Sequence, residues 1–157
     1  MQKISTCLWF DDNAEEAVNF YTSIFKNSKI TSTSRYSEAG PGKPGSVMTM
    51  TFTLEEREFM VINGGPVYKF SPAISMLVNC VSQEEVDHFW EQLSDGGEEM
   101  QCGWVTDRFG LTWQIVPTLL GELMSDPDPV KVARVAEAML KMVKLDCNLL
   151  QKAYDQS

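Results

Sequence analysis

Residues 7–25 read CLWFDDNAEEAVNFYTSIF, a short apolar strand pattern followed at once by a helical one. Asn13 and Glu16 have the three-residue spacing of a capping box, which marks the start of a helix. Beyond them, apolar residues recur at helical spacing, namely Ala17, Phe20, Tyr21 and Ile24. This stretch therefore predicts a β-strand that leads into an amphipathic helix.

The same pattern returns 69 residues later. The offset pairs Glu16 with Glu85, whose own capping partner is Ser82, and it pairs the apolar positions Phe20 with Phe89, Tyr21 with Trp90 and Ile24 with Leu93. It also pairs Thr6 with Ser75 in the preceding strand patterns. Such a repeat predicts two βαβββ modules, about residues 1–64 and 73–117, in a single α+β domain spanning 1–117.

Residues 118–157 follow a different pattern, which predicts a C-terminal helical extension. Asp128 is placed to cap a helix with Pro129 at its first position, and Asp146 is placed to cap a second helix. The first of these helices has an apolar stripe formed by Val132, Val135, Ala136, Met139 and Val143. Because an exposed apolar stripe is unstable alone, the extension must dock on the domain or on a second subunit.

Composition and charge exclude several classes of function. The chain has 13 Lys and Arg against 22 Asp and Glu, a net charge of −9, and no basic cluster that could bind nucleic acid. No apolar run approaches the roughly 20 residues of a membrane helix, and no signal peptide is recognisable. We therefore expect a cytoplasmic protein, whose four cysteines are buried or idle thiols.

Two motifs that suggest chemistry are better explained by structure. Gly40–Gly45 reads GPGKPG, but the helix that a dinucleotide fingerprint requires does not follow it, and we expect a mobile loop near a pocket mouth. His88 is the one histidine and lies off the apolar face of its helix, so a solvated surface position is expected.

The last strand pattern raises the question of a site. Residues 107–116 read DRFGLTWQIV, in which Leu111, Trp113 and Ile115 share one face. Gln114 lies on the other face, together with Thr112 and Val116. A partly polar cavity wall would show this pattern, and so would a solvent-exposed face.

Three segments carry a resemblance to a known family: residues 7–25, 96–117 (GGEEMQCGWVTDRFGLTWQIVP) and 121–142 (GELMSDPDPVKVARVAEAMLKM). They resemble the PhnB-like branch, often labelled demethylubiquinone methyltransferase, of the vicinal oxygen chelate superfamily. That superfamily includes glyoxalase I, bleomycin-resistance proteins and extradiol dioxygenases. The resemblance implies an incompletely closed, eight-stranded barrel around a cavity.

The resemblance also implies where a divalent metal would be held. The positions that carry His or Glu ligands in the superfamily fall here at Thr6 (or Ser5), about Asn63, Ser75 and Gln114. All of these side chains are uncharged oxygen donors, whereas catalytic divalent metals prefer imidazole, carboxylate or thiolate. We therefore predict that no divalent metal binds directly to these side chains and that the protein needs no cofactor.

These considerations favour a metal-free protein that binds a small molecule. The predicted ligand-binding residues are Thr6, Trp9, Asn63, Ser75, Cys102, Trp104, Arg108 and Gln114. An alternative is an enzyme of unknown reaction, including the methyltransferase activity of the family label, with Cys102 and Arg108 as candidate reactive groups. A homodimer, with the C-terminal helices at its interface, is compatible with either function.

Overall fold

The computed structural model of the chain describes residues 2–156, which form two compact units joined between Phe70 and Ser71. The first unit contains β1 (Thr6–Phe10), α1 (Ala14–Ile24), β2 (Lys29–Arg35), β3 (Val47–Leu54) and β4 (Arg57–Asn63). The second contains β5 (Met76–Cys80), α2 (Gln83–Ser94), β6 (Glu98–Glu99), β7 (Trp104–Thr106) and β8 (Thr112–Pro117). It continues into α3 (Thr118–Met124), α4 (Pro129–Leu140) and α5 (Cys147–Asp155). The predicted α+β class, with two βαβββ modules and C-terminal helices, is confirmed.

Both units build the same mixed sheet. The strand orders are β1-β4-β3-β2 and β5-β8-β7-β6. In each, the first strand runs parallel to the last, and the other neighbours are antiparallel. Neither sheet closes on itself, as an incomplete barrel requires. Two copies of one topology are what the sequence repeat predicts.

The repeat has one offset in its helices and another in its strands. The buried residues Tyr21 and Ile24 of α1 and Trp90 and Leu93 of α2 keep the offset of 69. The strands β1 and β5, however, begin at Thr6 and Met76, an offset of 70. Three residues connect β1 to α1, but only two connect β5 to α2. The predicted match of Thr6 with Ser75 is therefore wrong, because a shift of one residue turns a side chain to the opposite face of a strand.

Helix capping also differs between the units. Ser82 Oγ accepts a hydrogen bond from the backbone N–H of Glu85 at 3.2 Å, as predicted for the start of α2. Asn13 makes no such bond, so the predicted capping box of α1 is wrong. There, Ala14 N–H donates to Asn63 Oδ1 at 2.9 Å, and a side chain from β4 replaces the local cap. In the extension, Asp128 and Asp146 cap α4 and α5 as expected.

The C-terminal helices pack within the second unit. A core of Leu123, Val135, Met142, Leu145 and Leu150 joins the three helices, and Val116 of β8 packs against it. Helix α4 ends at Leu140, so Val143 of the predicted stripe lies beyond the helix and is 37% exposed. Of the two expected places for this extension, the domain or a second subunit, the structure shows it packed against the second unit. Within residues 2–156, no helix is both long and apolar enough to cross a membrane.

Candidate functional site

A buried carboxylate organises the turn before β8. Asp107 is 2% exposed, and its Oδ1 accepts from the backbone N–H groups of Phe109 and Leu111 at 2.8 and 3.1 Å. Its Oδ2 accepts from Trp113 Nε1 at 2.8 Å. Sequence analysis did not single out Asp107, although an Asp that begins an Asp-Arg-Phe-Gly turn is a signal for such side-chain to backbone bonds. These bonds hold Trp113 on the side of β8 that packs against α2.

The opposite side of the second sheet, called here the open face, carries a polar group at its centre. Strand register places Gln114 between Leu77 of β5 and Trp104 of β7. Gln114 Nε2 donates to Ser75 Oγ at 2.9 Å. The structure thus brings together three residues of the predicted site, since paired residues on neighbouring strands point to the same side of a sheet.

A second polar group lies on the open face one pair further along. Thr112 is opposite Thr106 and is only 1% exposed. Its Oγ1 has no hydrogen-bond partner within the described part of the chain. A buried hydroxyl without a partner costs about 1–3 kcal/mol, so Thr112 is a locally unfavourable feature of this strand. The central row of the face is uncharged, and the nearest acidic side chain in register is Glu98 at the β6 edge, opposite Thr106.

Two other predicted site residues are bonded elsewhere in the second unit. Arg108 donates from Nε to the backbone oxygen of Asp95 at 3.1 Å, and its Nη2 lies 2.9 Å from Asp95 Oδ2. It therefore binds the residue that ends α2. Cys102 donates its backbone N–H to Met142 O at 2.9 Å, which ties it to the C-terminal extension. These contacts give both residues a structural role away from the Ser75–Gln114 bond.

In the first unit, Trp9 lies on the side of its sheet that faces away from α1. It is opposite Ile62, and its Nε1 donates to Gly65 O at 2.9 Å. Its ring meets that of Tyr68 edge to face, with centroids 5.0 Å apart. Gly64 is required beneath the ring, because a Cβ there would lie 2.3 Å from ring atoms. Thr6, in contrast, shares the α1 side of β1 with the buried Leu8.

Both polar atoms of the Asn63 amide form hydrogen bonds with backbone groups. Besides accepting from Ala14 N–H through Oδ1, the amide donates from Nδ2 to Val47 O at 3.1 Å. By strand position the counterpart of Gln114 is Met60, which is opposite Cys7 just as Gln114 is opposite Leu77. Asn63 corresponds instead to Pro117, at the end of its strand.

The side chains at these positions do not fit a divalent metal. The Gln114 amide is bonded to Ser75, the Asn63 amide is bonded to backbone groups, and neither side chain carries a charge. Within residues 2–156, no three His, Cys, Asp or Glu side chains form a group that could hold a metal ion. His88 is on the exposed side of α2, as expected. Divalent metals need stronger donors than these neutral oxygens.

The cysteines differ in exposure. Cys80 is fully buried, and burial, followed by the neighbouring Glu85 and Cys147, raises the pKa of its thiol to about 12. Such a thiol stays protonated at neutral pH and is a poor nucleophile. Of the four cysteines, which were expected to be buried or idle, Cys7 is exposed, and Cys102 and Cys147 are intermediate.

Comparison with known proteins identifies the family. The family model described as 3-demethylubiquinone-9 3-methyltransferase matches residues 2–116. A PhnB protein from Bacillus cereus is 42% identical and has a TM-score of 0.69, with 74% of this chain and 99% of that chain covered. No protein with a curated description is similar enough to be matched to the chain.

More distant solved structures share the fold alone. A protein from Pseudomonas aeruginosa is 19% identical with a TM-score of 0.62, covering 74% of this chain and 98% of that chain. The fosfomycin resistance protein FosX from Listeria monocytogenes, solved with Mn(II) and sulfate, is 17% identical with a TM-score of 0.53, covering 72% and 90%. This chain therefore belongs to the PhnB-like, 3-demethylubiquinone-9 3-methyltransferase family within the vicinal oxygen chelate superfamily.

Proposed function

We propose that this protein binds an uncharged small molecule on the open face of its second sheet and does so without a metal. The hydrogen bond from Gln114 Nε2 to Ser75 Oγ carries this proposal. It occupies the position at which the family resemblance implies a metal-binding glutamate. An amide and an alcohol there can orient a neutral ligand, but they cannot compensate a dication.

Each residue of the open face has a distinct role in this proposal. The Gln114 Oε1 atom accepts a hydrogen bond from the ligand, and the Ser75 hydroxyl, which already accepts from Gln114, donates one. Trp104, opposite Gln114 in the register, offers a partly buried aromatic surface for an apolar ring. The ligand class that fits is an uncharged aromatic alcohol or carbonyl compound, because no charged side chain lies in this row.

A ligand screen tests the proposal directly. Thermal-shift measurements would compare uncharged phenols and quinols with phosphonates and carboxylates of similar size. We expect stabilisation by uncharged compounds and loss of binding by about tenfold in Gln114→Leu, the effect of removing one good polar contact. Gln92→Leu, on the exposed side of α2, is the matched control. Undiminished binding by Gln114→Leu would contradict the assignment.

The remaining predicted binding residues are tested separately. Trp9 has a partly buried ring on the side of the first sheet that faces away from α1, and its Trp9→Phe variant tests whether it affects ligand affinity. Thr6, Asn63, Cys102 and Arg108 are predicted binding residues whose contacts, as described above, also serve the fold. Alanine variants at these four positions would show whether ligand affinity changes independently of stability.

Methyl transfer is the alternative function, and it rests on the name of the family. A methyltransferase of the usual kind binds S-adenosylmethionine. In the glycine-rich segment Gly40–Gly45, Gly40 and Gly42 lie against the ring of Tyr36, which gives these two glycines a packing role. Equilibrium dialysis with labelled S-adenosylmethionine separates the two functions. Stoichiometric binding would favour the enzyme.

We also propose that the protein is a cytoplasmic homodimer, since superfamily members bind small molecules and often dimerise. Sedimentation velocity of the full chain should give a dimer mass. A shortened chain that ends near Pro117 tests whether the C-terminal helices contribute to the interface. Cell fractionation tests the location.

A further inference from the structure

We propose that one segment of the C-terminal extension, Met142–Cys147, called here the strap, sets the position of Trp104 and thereby the shape of the open face. Only the consequence for ligand binding rests on the proposed function. The mechanical link between the strap and Trp104 can be tested on the free protein.

Main-chain bonds join the strap to the turn that precedes β7. Cys102 N–H donates to Met142 O at 2.9 Å, and Gly103 N–H donates to Val143 O at 2.7 Å. On its other side the same turn is tied to β8, because Ile115 N–H donates to Gly103 O at 2.7 Å. The turn is thus held between the strap and the strand that carries Gln114.

Side chains of α2 hold the strap itself in place. Gln83 donates from Nε2 to Leu145 O at 3.1 Å and accepts from Cys147 N–H through Oε1 at 2.7 Å. Lys144 Nζ lies 2.8 Å from Asp87 Oδ1, one turn further along α2. The buried Leu145 side chain would lie only 3.0 Å from a Cβ at Gly103, so the strap and the turn are in close contact.

The turn needs this support because of its backbone conformation. Cys102 and Gly103 have φ angles of +60° and +86°. Two consecutive left-handed residues define a type I′ turn, which favours Asn-Gly over a residue such as Cys. An unsupported Cys102 would tend to leave this region, since its Cβ disfavours positive φ.

Trp104 directly follows this turn and is part of its hydrogen bonding. Its N–H donates to Gln101 O at 3.2 Å, and its carbonyl accepts from Met100 N–H at 2.9 Å. Because Trp104 is also opposite Gln114, a change in the turn would move an aromatic side chain at the centre of the open face.

The strap lies beyond the segment that the family model matches. The family model ends at residue 116, and the PhnB protein from Bacillus cereus, aligned over 99% of its own chain, covers 74% of this one. The strap therefore lies outside the part that the family model describes. In this chain, residues beyond the common fold support a turn inside it.

Fluorine NMR of protein labelled with 5-fluorotryptophan tests the proposal. The four tryptophans give four resonances, and Trp104→Phe assigns the one of interest. Gln83→Ala removes both side-chain bonds to the strap. The matched control is Asp128→Ala, which removes the cap of α4 and weakens the extension without touching the strap. The resonance of Trp113, a 3% exposed core residue, serves as an internal reference.

We expect Gln83→Ala to shift or broaden the Trp104 resonance and to leave the Trp113 resonance unchanged. The spectrum of Asp128→Ala should be the same as that of the unchanged protein. Adding Cys102→Gly to Gln83→Ala should restore the Trp104 resonance, because glycine adopts positive φ without support. Lys144→Ala replaces Gln83→Ala if that variant does not fold. An unmoved Trp104 resonance, an equal shift in Asp128→Ala, or no restoration by Cys102→Gly would each overturn the proposal. No ligand is needed, so the result is independent of the Gln114→Leu test.

Discussion

The two units have the same topology, but the amide side chains of Asn63 in the first and Gln114 in the second bond to different kinds of partner. In the first, Asn63 caps α1 and bonds the backbone of β3, while Met60 stands at the strand position of Gln114. In the second, α2 is capped locally by Ser82, and Gln114 bonds Ser75 on the open face. The amide of the first unit thus serves the fold, whereas that of the second lies on the open face, and the two residues do not occupy matching strand positions.

The turns before the last strands of the two sheets differ as well. In the second unit, the carboxylate of Asp107 binds the turn from within the core. In the first, Glu55 and Glu56 form the turn with φ angles of +47° and +69° and both side chains are exposed. One turn is stabilised by buried side-chain contacts. The other has exposed ones, because Gln2 Nε2 donates to Glu56 O at 3.1 Å and Asn27 Nδ2 donates to Glu55 Oε2 at 3.5 Å.

Substitution at Asp107 should have the largest effect on stability. Asp107→Ala leaves the N–H groups of Phe109 and Leu111 and the indole N–H of Trp113 without their acceptor. We expect a loss of about 3–5 kcal/mol in the free energy of unfolding, measured by urea denaturation. Asp95→Ala, at an exposed carboxylate, is the control. A loss below about 1 kcal/mol would show that this turn is no more dependent on side chains than its counterpart.

Removing the amide of Asn63 should have the next largest effect on stability, and removing that of Gln114 a smaller one. Asn63→Ala removes the acceptor for Ala14 N–H and the donor to Val47 O. We expect it to cost about 2–3 kcal/mol of stability, whereas Gln114→Leu should cost less than about 1 kcal/mol. Thermal denaturation of both variants decides this. Equal destabilisation would mean that the Gln114 amide, like that of Asn63, serves mainly the fold.

A substitution in the Glu55–Glu56 turn of the first unit should give a smaller change, an increase in stability. Glu56→Gly should relieve its positive φ and stabilise the protein by about 0.5–1 kcal/mol, because glycine adopts this conformation without strain. Urea denaturation measures the change. Glu58→Gly, in the adjoining strand, should destabilise and is the control. Destabilisation by Glu56→Gly would show that the glutamate side chain itself supports the turn.

The smallest effect concerns the pH dependence of the strap. Bonds from Lys144 and then Gln83 lower the pKa of Asp87 below its usual 3.8. A carboxylate whose pKa is lower in the folded than in the unfolded state stabilises the fold above the unfolded pKa. It loses that contribution as the pH falls through the folded pKa. Lys144→Ala should therefore reduce stability at pH 7 by less than about 1 kcal/mol, given the exposure of the pair, and by progressively less as the pH falls below the usual pKa of 3.8.

Chemical denaturation at pH 7 and at pH 2.5 measures this difference. The comparison variant is Lys141→Ala, whose partner Glu137 lies 3.9 Å away on the same exposed helix face. An equal loss of stability at both pH values for Lys144→Ala would mean that the lysine contributes through packing alone.

Most of the secondary structure could be predicted from the sequence, because it depends on neighbours along the chain. The apolar spacing of Tyr21 and Ile24, repeated in Trp90 and Leu93, fixes which side of each helix is buried. The alternation around Gln114 likewise separates the two faces of β8. Ser82, Asp128 and Asp146 act as caps within a few residues of their partners. Local periodicity and capping chemistry are visible without a fold.

The candidate site depended on contacts between residues far apart in sequence. Three residues connect β1 to α1, but only two connect β5 to α2. As a result, Ser75 lies on the same side of the sheet as Gln114, whereas Met76, the residue that matches Thr6, does not. The capping of α1 by Asn63 joins residues 49 positions apart. Strand register and loop length decide which side of a sheet a residue faces, and a repeat in sequence cannot fix either to within one residue. The sequence alone thus determined the two modules and their helices, and the tertiary structure decided which polar side chains lie on the open face.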